Sequence, residues 1–368
     1  MFRKIFAAGL LGFLALSGAM AGERDAAAPP QARCSEVRAP EAPFRCHFFE
    51  LDKAAYVCPL GQLNGGHREA LALGLSLVQI KPSVIEAGGR MAVFAPADMA
   101  LVRYAHYRFG ADAPEWTLVF RVDDRLSITF GALREPSRKI IDATSRVPAA
   151  TSAEFPLRRP VRVRAGEIIA FTTGTSRAHN WDIWVYDRDA RNRFARPERY
   201  RANELGVRLR QAVCPYDLLA PDLRTEAYAL LGVTGPGETD DCGNASRDVP
   251  GTLAGQWHLD ADPSHGVVSG KDGVWATPLA VYERLTGSVD IHGVAGKRWR
   301  IKPGDRTHKD PARVTGSHCF ELREPWRGDQ DGYVYFKLLS ETKLSVAHAA
   351  TGTCPDGFPV AGARSYFR

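Results

Sequence analysis

The chain has 368 residues, 45% of them hydrophobic, and a formal net charge of +6 at neutral pH. That length buries a sizeable core and points to two domains. The positive surplus is concentrated: positions 158 to 210 hold 13 arginines against six carboxylates, a basic face that attracts anionic polymers over long range, while the absence of any nucleic-acid recognition motif argues against nucleic acid as the partner.

The N-terminus carries Arg3 and Lys4, an apolar run from Ile5 to Leu16, and Ala19-Met20-Ala21. This is the pattern of a cleaved export signal over 1–21. The apolar run is shorter than the roughly 18–20 residues that cross a bilayer, and no later run reaches that length. The expectation is therefore an exported protein, periplasmic or secreted, with no membrane span after signal cleavage. Residues 22–45 are rich in Ala, Pro, Arg and Glu and predict a flexible leader.

From there the chain alternates. Ala72 to Ile80, Val93 to Asp98, Ala100 to Phe109, Trp116 to Phe130, Val163 to Ala170 and Ala178 to Asp187 have the period-two pattern of strands with one buried face. They predict a mainly β fold with an antiparallel sheet core over 46–231. Residues 134–160 form a long connection of the kind compact domains use when it covers or contacts something. Asp217 to Leu231 predicts one helix, or two short ones broken at Pro221. Residues 232–250 have linker composition. Beyond them short β runs (Thr252 to Leu259, Thr277 to Leu285, Ser288 to His292, Tyr333 to Leu338, Lys343 to Ala347) predict a smaller all-β C-terminal domain over 251–368.

All seven cysteines follow the signal, and no Cys-x-x-Cys spacing occurs. Disulfides are the expectation in an oxidising compartment, and the odd count leaves at least one thiol unpaired or intermolecular. Position in the chain pairs Cys319 with Cys354 and Cys58 with Cys214. Among local clusters, His258 to His265 holds two histidines and two carboxylates and is read as an Asp-Pro turn. Asn244-Ala-Ser246 fits a glycosylation sequon. No Walker loop, dinucleotide fingerprint, Gly-x-Ser-x-Gly elbow or His-Glu-x-x-His is present.

The central stretch resembles the lysostaphin-type zinc endopeptidase domain of peptidoglycan hydrolases. The likeness is carried by Val93-Phe-Ala-Pro-Ala-Asp98, Leu118 to Leu133, Val163-Arg-Ala-Gly-Glu-Ile-Ile-Ala170 and His179 to Asp187, about a third of the chain. The resemblance implies an antiparallel sheet with a groove, and in active members a zinc ion held by His, Asp and His. Matched position by position, this sequence has Leu71 where the family carries its acid, Ala132 in place of a histidine, and Asn180 and Asp182 in place of a His-x-His pair. It implies a degenerate form with no catalytic residue and no cofactor.

The groove candidates are then His67, His179, Asn180, Asp182 and Trp184, serving a binding or regulatory scaffold for peptidoglycan, another anionic envelope polymer or an envelope protein. The alternative is a metal-dependent endopeptidase with zinc on His67, His179 and Asp182. Trp181 and Trp184, three apart on one strand, face opposite ways, so one belongs to the core and the other to the groove or a domain contact.

Overall fold

Alternating apolar and polar positions fold this chain into antiparallel sheets. A computed structural model describes residues 29–37, 41–62, 74–108, 112–267, 279–323 and 330–368. The expected signal, His67 and Leu71 lie outside them.

The first strands are β1 (Ala54–Val57), β2 (Ser76–Ile80), β3 (Met91–Phe94), β4 (Met99–Tyr107), β5 (Glu115–Arg121), β6 (Leu126–Leu133), β7 (Glu135–Pro136), β8 (Phe155–Val163), β9 (Ile168–Thr172), β10 (Asn180–Asp187) and β11 (Ala212–Val213). They make a large sheet in the order β1-β2-β10-β6-β5-β4-β8, with β11 continuing the edge of β10, and a small sheet in the order β3-β9-β7. Every pairing among them is antiparallel.

Register follows the pleat. Trp181, Ile183 and Val185 of β10, Ile128 and Phe130 of β6, and Leu118 and Phe120 of β5 are fully buried in one cluster. Phe49 meets Trp181 edge-on at 5.7 Å, and Phe130 stacks beside it at 6.4 Å. Each such side chain stabilises the fold by about 1.5–3 kcal/mol of apolar burial. Met91, Val93, Ile169 and Ala170 of the small sheet join the same core. Irregular register on β4 between Leu101 and Arg103, and on β5 between Trp116 and Leu118, pins the strands against slippage.

Helices are few and short among the described residues: α1 (Pro82–Glu86), α2 (Arg138–Ile141), α3 (Glu204–Gln211) and α4 (Pro221–Tyr228). Pro221 opens α4, where its missing N–H costs nothing. Asn203 caps α3, its Oδ1 accepting from the Gly206 N–H at 2.9 Å. Gly206 lets this helix lie against the preceding turn, since a Cβ there would stand 2.7 Å from Tyr200 Cα.

The C-terminal strands are β12 (Gly255–Trp257), β13 (Leu279–Glu283), β14 (Val289–His292), β15 (Arg298–Ile301), β16 (Ser317–Arg323), β17 (Gln330–Ser340), β18 (Lys343–Ala349) and β19 (Arg364–Phe367). They form two antiparallel sheets, β12 to β15 and β16 to β19, each in chain order. Trp257, Trp299, Phe320 and Phe336 lie in a second apolar cluster. Both clusters lie within one compact unit spanning Gln31–Arg368. Arg199, 1% exposed, donates to the carbonyls of Asp260 and Gly266 at 2.7 and 3.1 Å, and Tyr200 donates to Gln256 Oε1 at 3.0 Å.

The cysteines correct one expectation. Cys319 pairs with Cys354, but Cys214 pairs with Cys242 rather than Cys58, and Cys34 pairs with Cys46. The bridges close loops of 12, 28 and 35 residues, which carry less closure entropy than a pairing between distant segments. Cys58 stays a buried thiol. These bridges also tie down two segments of leader and linker composition: Phe44 is fully buried beside Cys46, and Ala245 beside Cys242. Three disulfides point to an oxidising environment, and no helix of the described residues is long and apolar enough to cross a membrane.

Candidate binding cleft

The large sheet buries one face in the core and opens the other into a cleft of about 740 Å³. Its floor is read directly from the register. β10 contributes Asp182, Trp184 and Tyr186, β6 contributes Thr129, β5 contributes Thr117, and β4 contributes Arg103 and Tyr107. These positions alternate with the core residues named above. Asn203, Glu204, Leu205 and Arg208 of the α3 region form one wall, and Ser152 and Glu154, at the end of the long connection before β8, form another.

Asp182 lies at the centre. It pairs with Gly131 across the β10–β6 ladder, and its carboxylate lies down over that glycine: a Cβ on Gly131 would sit 2.3 Å from Asp182 Oδ2. Trp184 donates its indole N–H to Oδ2 at 2.7 Å. Burial pushes the Asp182 carboxyl up to about 6; the indole donor opposes the shift, and the negative charge of Glu115 adds to it. Beside them Thr129 is 6% exposed, and its Oγ1 has no hydrogen-bond partner among the described residues.

The walls are held by charge. Glu154 accepts from Arg208 at 3.2 and 3.3 Å and lies 3.0 Å from Arg103 Nε. Arg208 also reaches Glu204 at 2.6 Å and lies 5.8 Å from the centre of the Tyr186 ring. Tyr107 donates to Glu115 at 3.3 Å, and Glu115 is paired with Arg134 at 3.2 Å. Burial, the first cause, drives both Tyr107 and Tyr186 well above the usual phenol range, so both hydroxyls are neutral donors. Strand β8 begins beside this wall, with Pro156 opposite Arg103. It is an edge strand with exposed Arg158, Arg159 and Arg162 and, just beyond its end, Arg164. None of the four is in an ion pair among the described residues.

Of the residues expected in the groove, Asp182 and Trp184 line the cleft. His179 and Asn180 do not. His179 sits in a turn with φ 52° and its Nδ1 3.3 Å from the Thr173 carbonyl, and Asn180 accepts from Thr175 Oγ1 at 3.2 Å. Ala132, where the family resemblance places a histidine, is 4% exposed in the core cluster. Trp181 is the core member of the tryptophan pair and Trp184 the cleft member.

At the positions matched to the family's zinc site, Ala132 offers no donor, Asn180 Oδ1 accepts from Thr175 Oγ1, and Asp182 Oδ2 accepts from the Trp184 indole. No group of three His, Cys, Asp or Glu among the described residues is arranged to hold a metal ion. His258 and His265 are likewise separated. His258 is 4% exposed and held by burial at a pKa of about 3, while His265 meets Asp260 in the exposed turn.

Most of the cleft was missed by sequence reasoning. Tyr186 follows from the same alternation that marks Asp182 and Trp184. The wall on α3 was signalled locally by Asn203 as a cap and by the i, i+4 pair Glu204 and Arg208. Arg103, Tyr107, Thr117 and Thr129 depend on strand order, which no local pattern carries.

Compared with models of known protein families, with curated proteins and with solved structures, the chain matches none of them. The resemblance to lysostaphin-type endopeptidases rests on the residues that suggested it.

Proposed function

We propose that this is an exported envelope protein whose cleft binds a segment of peptidoglycan or another anionic envelope polymer, on an endopeptidase-like sheet that serves as a binding or regulatory scaffold rather than as a catalyst. The observation that carries this reading is the set at the cleft floor. The aromatic rings of Trp184 and Tyr186, 6.2 Å apart, lie beside the Asp182 carboxyl and the unpartnered Thr129 hydroxyl. Rings for stacking with a few convergent polar groups are what a sugar-containing ligand requires. The arginines of the β8 edge favour an anionic polymer running past the cleft wall. Three disulfides support the oxidising compartment in which such a polymer is met.

Cosedimentation of the full chain with purified peptidoglycan sacculi tests the reading. Wild type should pellet with the sacculi, and Trp184→Ala should weaken binding about tenfold, the worth of about 1.4 kcal/mol of ring contact. Wild type left in the supernatant at physiological salt would rule the reading out.

One observation favours a second reading: Asp182, whose carboxylate can ligate a metal, lines the cleft. A metal-dependent endopeptidase with rearranged ligands on His67, His179 and Asp182 requires near-stoichiometric metal in the purified protein and release of soluble fragments from the sacculi. Metal analysis beside a digestion assay separates the two.

A further inference from the structure

The sheet β12 to β15 carries a cluster of charge on the face turned away from Trp299. Asp290 is 1% exposed and receives three arginines. Arg300 binds it through Nε at 2.7 Å and through its terminal nitrogen at 3.2 Å, Arg298 at 2.8 Å and Arg284 at 3.1 Å. The side chains of Arg284, Arg298 and Arg300 are 19, 9 and 26% exposed, and none of them has a second ion-pair partner among the described residues. Guanidinium groups keep their charge at all accessible pH. Three cations on one anion therefore leave an uncompensated charge of about two in a largely buried place, which is costly unless something answers it.

A second feature points the same way. Arg298 Nε is buried and has no hydrogen-bond partner among the described residues. Asp290 has only two oxygens, and its contacts leave each guanidinium with N–H groups to spare. Burial opposes ionisation of Asp290, yet the Arg300 hydrogen bonds and the charges of Arg298 and Arg284 hold its carboxyl down at about 2.

We infer that Arg284, Arg298 and Arg300 form a site for a small oxyanion of double charge, of the phosphate or sulfate class, whose oxygens take the N–H groups that Asp290 leaves over. Planar guanidinium forks suit such oxygens in bidentate geometry. The limited exposure of the three side chains admits a free ion or the terminal phosphoryl group of a larger molecule. The inference is independent of what the cleft binds.

Calorimetric titration and thermal melts of the full chain test it, with inorganic phosphate, glycerol 3-phosphate, acetate and chloride at matched ionic strength. Phosphate should give saturable binding and a saturable rise in Tm, at least about tenfold stronger than acetate. An equal response to glycerol 3-phosphate assigns the site to terminal phosphoryl groups, and a weaker one to the free ion.

Asp290→Asn removes the anion's competitor and should tighten phosphate binding by about tenfold or more, whereas Arg298→Gln and Arg300→Gln should abolish it. Should the arginine variants fail to fold, Asp290→Asn decides the matter. A phosphate response no greater than that to chloride, in both wild type and Asp290→Asn, would mean that the arginines serve only to hold Asp290, and would overturn the inference.

Discussion

Trp184 donates its indole N–H to the Asp182 carboxylate at 2.7 Å, from two positions further along the same strand. Strand geometry points both side chains to the solvent face of the sheet, while Trp181 and Ile183 point to the core. One strand thus supplies both the apolar support of the sheet and the polar centre of the cleft.

Asp182 makes the protein's stability depend on pH. Its folded pKa of about 6 lies above the ordinary 3.8, so between about pH 4 and 6 the native state holds a proton that the unfolded chain has lost. The favourable contribution is complete below about pH 4 and is lost as pH rises through about 6. Asp182→Asn keeps the neutral form at all pH. Urea denaturation should find this variant more stable than wild type at pH 8, by about 3 kcal/mol for a shift of about two units, and equal to it near pH 4. Trp184→Phe removes the indole donor that favours the carboxylate, and should move the pH midpoint of stability upward.

Gly131 is the steric counterpart of Asp182. Gly131→Ala places a methyl group where the carboxylate lies, and the nearest atoms are the end of a side chain rather than backbone. The variant should fold with a loss of about 1–2 kcal/mol and should raise Asp182 off the sheet, lowering affinity for the cleft ligand without changing its charge. Denaturation and binding titrations on the same preparation measure both effects.

The disulfide pattern gives a mass-spectrometric prediction. Burial raises the Cys58 thiol to about 12, so alkylating agents should leave it untouched in the native protein. In denaturant without reductant one alkylation should appear, at Cys58, and with reductant all seven cysteines should react. Replacing Cys319 and Cys354 together by alanine opens a loop of 35 residues and should destabilise the protein by about 3–4 kcal/mol.

Arg199 holds residues 260–266 against the first core through two backbone carbonyls. Arg199→Ala leaves those carbonyls without their donor and opens a cavity, at a cost of about 2–4 kcal/mol. Hydrogen exchange should then increase at residues 258–267 before it increases in β6 or β10.

The strands that build the cleft floor were legible because each alternates cleanly: Trp181-Asp182-Ile183-Trp184 announces two faces by itself. Strand β15 was missed although Arg298-Trp-Arg-Ile alternates, because four residues with two arginines carry too little apolar signal beside turn-rich neighbours. Asn180 and His179 were placed in the groove by the family resemblance, which matches Asn180 and Asp182 to a His-x-His pair. In the structure His179 sits in the turn before β10 and Asn180 accepts from Thr175 at the strand's first position, beyond the residues that line the cleft. Arg103 and Glu154 meet only because β4 lies beside β8, a relation of topology that local patterns do not contain.

The central claim is that the floor around Asp182 and Trp184 binds a glycan segment. Intrinsic tryptophan fluorescence of the full chain, titrated with soluble peptidoglycan fragments at constant ionic strength, tests it most directly. Wild type should give a saturable change, weakened in Gly131→Ala and in Asp182→Asn, both of which keep every tryptophan. A flat titration in wild type, or a curve that neither variant alters, would contradict it.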